Sequence, residues 1–177
     1  MAAVLVAFAS RHGSTREIAE VLAATLGELG AEVSVLTAAE VDDVTSFDAV
    51  ILSSAVYHGR WIDDARHFLS HHRHQLEGRP TWLFSSGPTG GSPEADAALA
   101  TSCGLDTPVP GALARTASRL EVRGHATFGG RIGPEATGML ESWMPRGDWR
   151  DLDQVRQWGR LIGAELQSAG GARRLPS

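Results

Sequence analysis

The chain has 177 residues, which suits one domain of ordinary size that buries most of the surface its unfolded form exposes. Its composition is 42% hydrophobic and 21% charged with a net charge of -5, which is typical of a globular protein and gives no reason to expect a nucleic-acid partner. The single cysteine, Cys103, excludes an internal disulfide and a cysteine-based zinc or iron–sulfur site, so we expect a reducing, cytoplasmic setting.

The N-terminal part of the chain predicts a strand, a loop, a helix and a second strand. Residues 4–9 form an apolar run, too short and too poor in basic neighbours for a signal peptide or a membrane span. The polar loop at residues 10–15 follows, and Gly30 suits the end of the next helix. Alternating residues at 31–36 predict an edge-like strand. The apolar residues at helical spacing between them are Ile18, Ala19, Leu22, Leu26 and Leu29.

The rest of the chain continues the alternation of strands and helices. Apolar runs predict strands at residues 49–52, 81–84 and 126–132, and residues 133–150 form a long irregular connection. Apolar stripes and small residues predict the helices, which cover residues 62–76, 94–100, 112–120 and 152–168.

This alternation favours right-handed crossovers and a parallel sheet covered by helices on both faces. We therefore predict one doubly wound, five-stranded α/β domain over residues 1–168. Residues 169–177 are predicted to be a disordered tail.

The loop after the first strand is the first candidate binding site. It offers hydroxyls, a glycine and free N–H groups at the start of a helix, where an anion is favoured. The other interpretation is that Ser14 and Glu17 form a capping box, which needs no ligand. Neither a P-loop nor a GxGxxG fingerprint is present, so a monophosphate suits the loop better than a nucleotide polyphosphate.

A family resemblance is carried by the same loop. The pattern Ser10-x-x-Gly13-x-Thr15 resembles the phosphate loop of flavodoxins, with His12 where many of them have threonine. Residues 8–19 (FASRHGSTREIA) and 55–59 (AVYHG) are similar to the flavodoxin-like, menaquinone-dependent protoporphyrinogen IX dehydrogenases. The resemblance covers roughly the first half of the chain and implies a flavodoxin-like sheet of order 2-1-3-4-5 with FMN at its carboxyl edge.

The resemblance also implies which residues contact FMN. The loop after the first strand would hold the phosphate, and the loops at residues 54–61 and 85–91 would border the isoalloxazine, with Gly59 presenting backbone to the flavin N5 edge. The implied cofactor-binding residues are Ser10, His12, Gly13, Ser14, Thr15, Ser54, Ala55, Tyr57, His58, Gly59, Trp61, Ser86, Gly87 and Gly90.

Several of these residues have a second interpretation. Tyr57 and Trp61 either stack on the flavin ring or pack at a loop edge, and for Trp61 packing is favoured by the adjoining apolar stripe. His58 is either a proton donor or a solvated side chain. The glycines near position 87 suit close approach of a flat ligand, but an ordinary surface loop would look similar.

Two other features bear on metal and membrane binding. His67, His71 and His74 share a helix side with Asp63, but we interpret this as a solvent-exposed face and expect no metal site. The connection at residues 133–150 has few basic residues, so at most peripheral membrane contact is expected. Its apolar residues either form a docking patch or fold back on the domain: Met139, Leu140, Trp143 and Met144.

The resemblance implies redox chemistry in one of two forms. One is an oxidoreductase that passes electrons from a tetrapyrrole to a quinone, and the other is an electron carrier with a redox partner. A flavin-free interaction module is the third possibility. The sequence identifies no catalytic residue. It also does not determine the oligomeric state or the physiological electron donor and acceptor.

Overall fold

The computed structural model describes residues 1–11, 13–57, 59–87, 92–134 and 146–172. Within them, five parallel strands form the main sheet in the spatial order β2-β1-β3-β5-β6, and the two-residue strand β4 pairs antiparallel with the end of β3. Counting the five long strands alone, this is the predicted order 2-1-3-4-5. The strands are β1 (Ala3–Ala9), β2 (Glu32–Thr37), β3 (Ala49–Tyr57), β4 (Arg60–Trp61), β5 (Thr81–Ser86) and β6 (Gly124–Phe128).

Helices cover both faces of this sheet, as predicted. The described helices are α1 (Ser14–Glu28), α2 (Asp63–His71), α3 (Arg73–Leu76), α4 (Pro93–Ser102), α5 (Ala114–Arg119) and α6 (Leu152–Ala172). Apolar residues of α1 and α6 pack on one face, and those of α2, α3 and α5 pack on the other. None of these helices is long and apolar enough to cross a membrane.

An aromatic cluster joins the sheet to α6. The rings of Phe84, Phe128 and Trp158 pack edge to face with centroids 5.7 to 6.0 Å apart. All three side chains are buried, so the carboxyl halves of β5 and β6 are held rigidly against the last helix. This rigidity matters because the candidate site lies at the same edge of the sheet.

Strands β3 and β5 are longer than the sequence indicated. Both were expected to end where serines begin, yet β3 continues to Tyr57 and β5 to Ser86. The serines tolerate burial because their hydroxyls bond within the protein; for example, Ser53 Oγ donates to the Ala7 carbonyl at 3.2 Å. Apolar runs alone therefore underestimated the length of these strands.

The predicted fifth strand, in contrast, is shorter at its end. It stops at Phe128, because the chain then pairs with a later segment: β7 (Arg131–Ile132) runs antiparallel to β8 (Gly147–Asp148). The long connection is thus closed at its base by a short ladder. Residues 135–145, with the predicted apolar patch, lie outside the described residues.

Two helix boundaries also differ from the prediction. The helix expected over residues 62–76 is divided at His72, whose buried ring bonds to the Val41 carbonyl at 3.1 Å and to Gln75 Oε1 at 2.9 Å. Helix α6 extends through Ala172 and so includes the first four residues of the predicted tail. Residues 173–177 are not described.

Candidate cofactor site

The loop between β1 and α1 presents an open helix terminus. Gly13 is the N-cap residue, with a left-handed φ of 79°, and no side chain within the described residues caps the helix. The first helical bond runs from the Glu17 N–H to the Gly13 carbonyl at 3.1 Å, so the N–H groups before Glu17 have no intrahelical acceptor. The terminus therefore keeps both the donors and the dipole that favour an anion.

Two serine hydroxyls flank this terminus. Ser10 Oγ accepts the Gly13 N–H at 3.0 Å, which leaves the Ser10 hydroxyl hydrogen free to donate. Ser14 Oγ is buried and has no hydrogen-bond partner in the described part of the chain. A buried hydroxyl without a partner is costly unless a ligand satisfies it, and a phosphate oxygen would do so.

The capping-box interpretation of this loop is wrong. Glu17 does not reach back to the N-cap, and its carboxylate instead contacts two arginines from distant segments. Arg131 Nη1 lies 3.4 Å from Glu17 Oε1, and Arg150 Nη1 donates to Glu17 Oε2. Neither arginine contact was predicted from the sequence, because the arginines lie 114 and 133 residues from Glu17 and no local spacing signals the contact.

The arginines change the electrostatics of the loop. Glu17 alone would place a negative charge in the first turn of α1, where it would repel a phosphate. Arg150 is almost completely buried and also bonds to Asp148, with Nε 2.7 Å from Oδ1. The bonds to Asp148 and then to Glu17 raise the pKa of Arg150, while Arg150 lowers the pKa of Asp148 through the same bonds. The cluster is therefore charged and mutually compensated.

Three of the predicted ligand-contacting hydroxyls make hydrogen bonds inside the protein. Thr15 and Ser86, assigned to opposite ends of the cofactor, are both buried and share a hydrogen bond with oxygens 2.7 Å apart. Ser54 Oγ accepts the Ile62 N–H at 2.9 Å and donates to the Ala55 carbonyl at 2.7 Å. These hydrogen bonds join the loops to one another. Ser54 uses its hydroxyl hydrogen inside the protein, whereas one of the two hydroxyls in the Thr15–Ser86 pair keeps its hydrogen.

Tyr57 and Trp61 have different positions in the β3–β4 hairpin. Tyr57 is half-buried, and the Arg11 guanidinium lies 5.1 Å from the centre of its ring, which joins this hairpin to the phosphate loop. Trp61 is 3% exposed and packs in the core, so the prediction that it stacks on a ligand is wrong and the packing alternative holds. Its indole N–H donates to Ser85 Oγ at 2.8 Å.

Gly87 is the residue that brings the ends of β3 and β5 together. Its φ is 146°, and a Cβ at this position would lie 3.1 Å from the Val56 carbonyl oxygen and 3.2 Å from the Val56 nitrogen. Its own N–H donates to the Phe128 carbonyl at 3.1 Å. A side chain would therefore be strained here and would separate the two strands.

A cleft of about 590 Å³ opens between the two candidate ring loops. Its lining includes Val56 and Gly59 from the hairpin, Gly87 after β5, and residues of the segment before α5 and of β6. The members from those last two parts are Thr101, Ser102, Thr107, Pro108, Pro110, His125 and Thr127. His12, His58 and Gly90 are outside the described residues. The cleft has the volume of a small-molecule site and lies at the carboxyl edge, where open parallel sheets bind ligands.

The histidine-rich face of α2 is separate from this cleft. The rings of His67 and His71 stack with centroids 5.7 Å apart, and both residues are exposed. Within the described ranges, no group of three or more histidine, cysteine or acidic residues is placed to hold a metal ion.

Comparisons with known proteins agree with this architecture. A family model described as "Flavodoxin domain" matches residues 5–141. The chain is 28% identical over 92 residues to protoporphyrinogen IX dehydrogenase [quinone] of Escherichia coli K12, a match that covers 51% of this chain and 51% of that protein. The chain thus spans about half the length of this curated relative.

Solved structures show the same fold at low identity. A flavodoxin from the domain Archaea has a TM-score of 0.62 at 14% identity, covering 93% of this chain and 99% of that one. Oxidised flavodoxin 2 from Bacillus cereus has a TM-score of 0.62 at 19% identity with the same coverage. The rubredoxin:oxygen oxidoreductase of Desulfovibrio gigas has a TM-score of 0.59 at 15% identity, and only 36% of that chain is covered.

The fit of the site to FMN can be judged from its donors. FMN is a monophosphate, and the uncapped start of α1 with the unpartnered Ser14 hydroxyl suits one phosphate. The fold places this terminus and the cleft at the same edge of the sheet, as a phosphate joined to a flat ring requires. The chain belongs to the flavodoxin domain family and is an FMN-binding redox protein.

Proposed function

We propose that Ser10, Gly13 and Ser14 hold the FMN phosphate at the start of α1. The buried Ser14 hydroxyl, which lacks a protein partner in the described ranges, supports this placement most directly. The Ser10 hydroxyl and the first N–H groups of α1 add donors from two other directions. The Thr15 hydroxyl fixes the loop through its hydrogen bond to Ser86, and it keeps its own hydrogen for the phosphate when Ser86 is the donor.

The ring of the cofactor would occupy the cleft between the β3–β4 hairpin and the end of β5. Gly59 and Gly87 contribute backbone atoms to the wall of this cleft. The Tyr57 ring contacts Arg11, which belongs to the phosphate loop. Charge is absent from the described lining of the cleft, which contains no carboxylate, lysine or arginine. An uncharged wall of this kind suits a flat heteroaromatic ring.

The activity that we propose is the oxidation of a reduced tetrapyrrole with a quinone as electron acceptor. FMN supplies the transfer of electron pairs when it is bound. The observation that carries this proposal is the 28% identity over 92 residues to the E. coli quinone-linked protoporphyrinogen IX dehydrogenase. The protein's own residues bind and orient the cofactor.

An anaerobic assay tests this activity. FMN-loaded protein is mixed with protoporphyrinogen IX and menadione, and the rise of porphyrin fluorescence is followed beside the loss of quinone absorbance. We expect both signals to change together and to depend on added FMN. Protein that binds FMN but raises porphyrin fluorescence no faster than the FMN-only control would contradict the proposal.

An electron-carrier function is the second candidate, because flavodoxins of similar length superpose along nearly their whole chains. A carrier would exchange electrons with a flavodoxin reductase and reduce a protein acceptor such as cytochrome c. The same preparation would leave protoporphyrinogen untouched. The two assays on one protein sample therefore separate an enzyme from a carrier.

A further inference from the structure

A hydrogen-bonded row of polar side chains lies in the wall of the cleft. The Trp61 indole N–H donates to Ser85 Oγ at 2.8 Å, and Ser85 Oγ lies 2.8 Å from His125 Nε2. On the other side of the ring, His125 Nδ1 lies 2.9 Å from Thr107 Oγ1 and 3.2 Å from the Thr107 carbonyl oxygen. Ser85 and His125 are at most 3% exposed and both line the cleft.

The two end groups of this row, the Trp61 indole and the Thr107 carbonyl, fix the direction of its hydrogen bonds. An indole nitrogen can only donate and a carbonyl oxygen can only accept. The Thr107 carbonyl therefore assigns a hydrogen to His125 Nδ1, which leaves Nε2 of the neutral ring as an acceptor. Ser85 accepts from Trp61 and donates its single hydrogen to His125.

The surroundings of His125 favour the neutral ring. Burial lowers the pKa of His125, and the bond to the Thr107 backbone opposes this only in part. The ionisable residues beside His125 and beside its partner Thr107 offer no counter-charge. Asp106, which precedes Thr107, is exposed, and the Arg123 guanidinium lies 5.6 Å from the centre of the Trp82 ring. Cys103 is partly buried, and its burial raises the thiol pKa. Ser85 and Thr107, which bond to His125, carry no charge, and neither do their own partners Trp61 and Thr127.

We propose that Ser85 and His125 form a proton-dependent hydrogen-bond donor for the cofactor in this cleft. The proposal rests on the FMN-binding function above. When His125 Nε2 gains a proton, it donates to Ser85 Oγ, whose two lone pairs then accept from His125 and Trp61. The Ser85 hydrogen is released from His125 and turns toward the ligand. Negative charge that arrives in the cleft favours both changes.

The proton balance follows from the overall reaction. A donor that loses an electron pair also releases two protons. One proton accompanies the electron pair to the cofactor, and the second is held by His125 Nε2. A quinone that takes the electron pair and both protons returns His125 to the neutral ring and Ser85 to its original bond.

Histidine NMR titration of the full-length protein tests this directly. The pKa of His125 is measured without FMN, with oxidised FMN, and after anaerobic reduction by dithionite, and His125→Gln identifies its resonance. We expect reduction to tighten proton binding by His125 about tenfold or more, which is one pKa unit. His72 is the matched internal control, because it is also a buried histidine with two hydrogen bonds but does not line the cleft.

A second measurement counts protons. The pH dependence of the FMN midpoint potential gives the number of protons taken up with each electron pair. His125→Gln should remove one proton from this count between the pKa values of the oxidised and reduced proteins, whereas His72→Gln should not. Ser85→Ala should weaken binding of the reduced cofactor more than that of the oxidised cofactor.

The outcomes separate this inference from the proposed function. If FMN binds but its reduction shifts the NMR titration of His125 no more than that of His72, the inference is overturned and FMN binding stands. Failure to bind FMN at all would overturn both. Unchanged proton counts in His125→Gln would likewise overturn the inference, since a purely structural histidine would leave that count unaltered.

Discussion

Ser14 and Ser53 both have buried hydroxyls, but they differ in their hydrogen bonding. Ser53 Oγ donates to the Ala7 carbonyl within the sheet, whereas Ser14 Oγ lacks a partner among the residues described. Removing the first hydroxyl costs the folded protein a hydrogen bond, and removing the second does not. The pair therefore separates a contribution to stability from a contribution to ligand binding.

Ser14→Ala should weaken FMN binding while leaving the free energy of unfolding of the apoprotein unchanged or slightly increased. A hydrogen bond to a charged group contributes about 1.5–3 kcal/mol, so we expect roughly 10- to 100-fold weaker binding. Flavin fluorescence titration and urea denaturation measure the two quantities. Ser53→Ala should show the opposite pattern, with about 1 kcal/mol lost from stability and FMN affinity retained.

Gly87→Ala should destabilise the protein by roughly 1–3 kcal/mol, because alanine is strained at φ 146° and its Cβ would crowd the Val56 backbone. Gly27→Ala is the matched control: it lies within α1, and a Cβ there would meet no atom within 4 Å. That variant should gain about 0.5–1 kcal/mol in urea denaturation. Equal effects of the two substitutions would refute the role assigned to Gly87.

At the level of elements, the β7–β8 ladder is joined to the first turn of α1 by Arg150. The Arg150 side chain is 6% exposed, and its guanidinium bonds to Glu17 and Asp148. A substitution that removes the guanidinium deprives the carboxylates of Glu17 and Asp148 of this positive partner near the proposed phosphate site. The connection after β6 and the cofactor loop are therefore expected to stabilise each other.

Arg150→Met should lower both the unfolding free energy and the FMN affinity. We expect a stability loss of about 1–3 kcal/mol, less than for a fully buried pair because the partner carboxylates are partly exposed. Arg16→Met, which removes the exposed pair with Glu20 on the same helix, should cost less than about 1 kcal/mol. Comparable losses in both variants would contradict the proposed link.

Element prediction from the sequence worked where local pattern determines structure and failed where contacts are distant. The alternation of strands and helices follows from the apolar runs, and the strand order follows from the flavodoxin-like pattern. The ends of β3 and β5 did not, because buried serines that bond within the sheet look like loop residues. The Glu17–Arg150 contact and the Ser85–His125 bond could not be predicted, since their partners lie 133 and 40 residues apart.

For the whole molecule, the neutral state of His125 makes stability depend on pH. Burial lowers its pKa below the ordinary value of 6.5, so the unfolded chain binds a proton more readily than the folded protein. The contribution is fully present above pH 6.5 and is lost as the pH falls toward the lowered pKa of the folded protein.

Urea denaturation of the apoprotein at several pH values checks this expectation. The wild-type protein should lose stability progressively as the pH falls below 6.5, and His125→Gln should lose less over the same interval. A wild-type and a variant protein with parallel pH profiles would show that His125 is not the group responsible.

The central claim is that this chain binds FMN at the carboxyl edge of its sheet and that the cofactor is redox-active there. The most direct test is an anaerobic absorbance titration of the purified protein with FMN, followed by dithionite and then a quinone. We predict saturable binding with perturbed flavin bands that bleach on reduction and return with the quinone, and weaker binding in Ser14→Ala. A flavin spectrum identical to that of free FMN throughout the titration would contradict the claim.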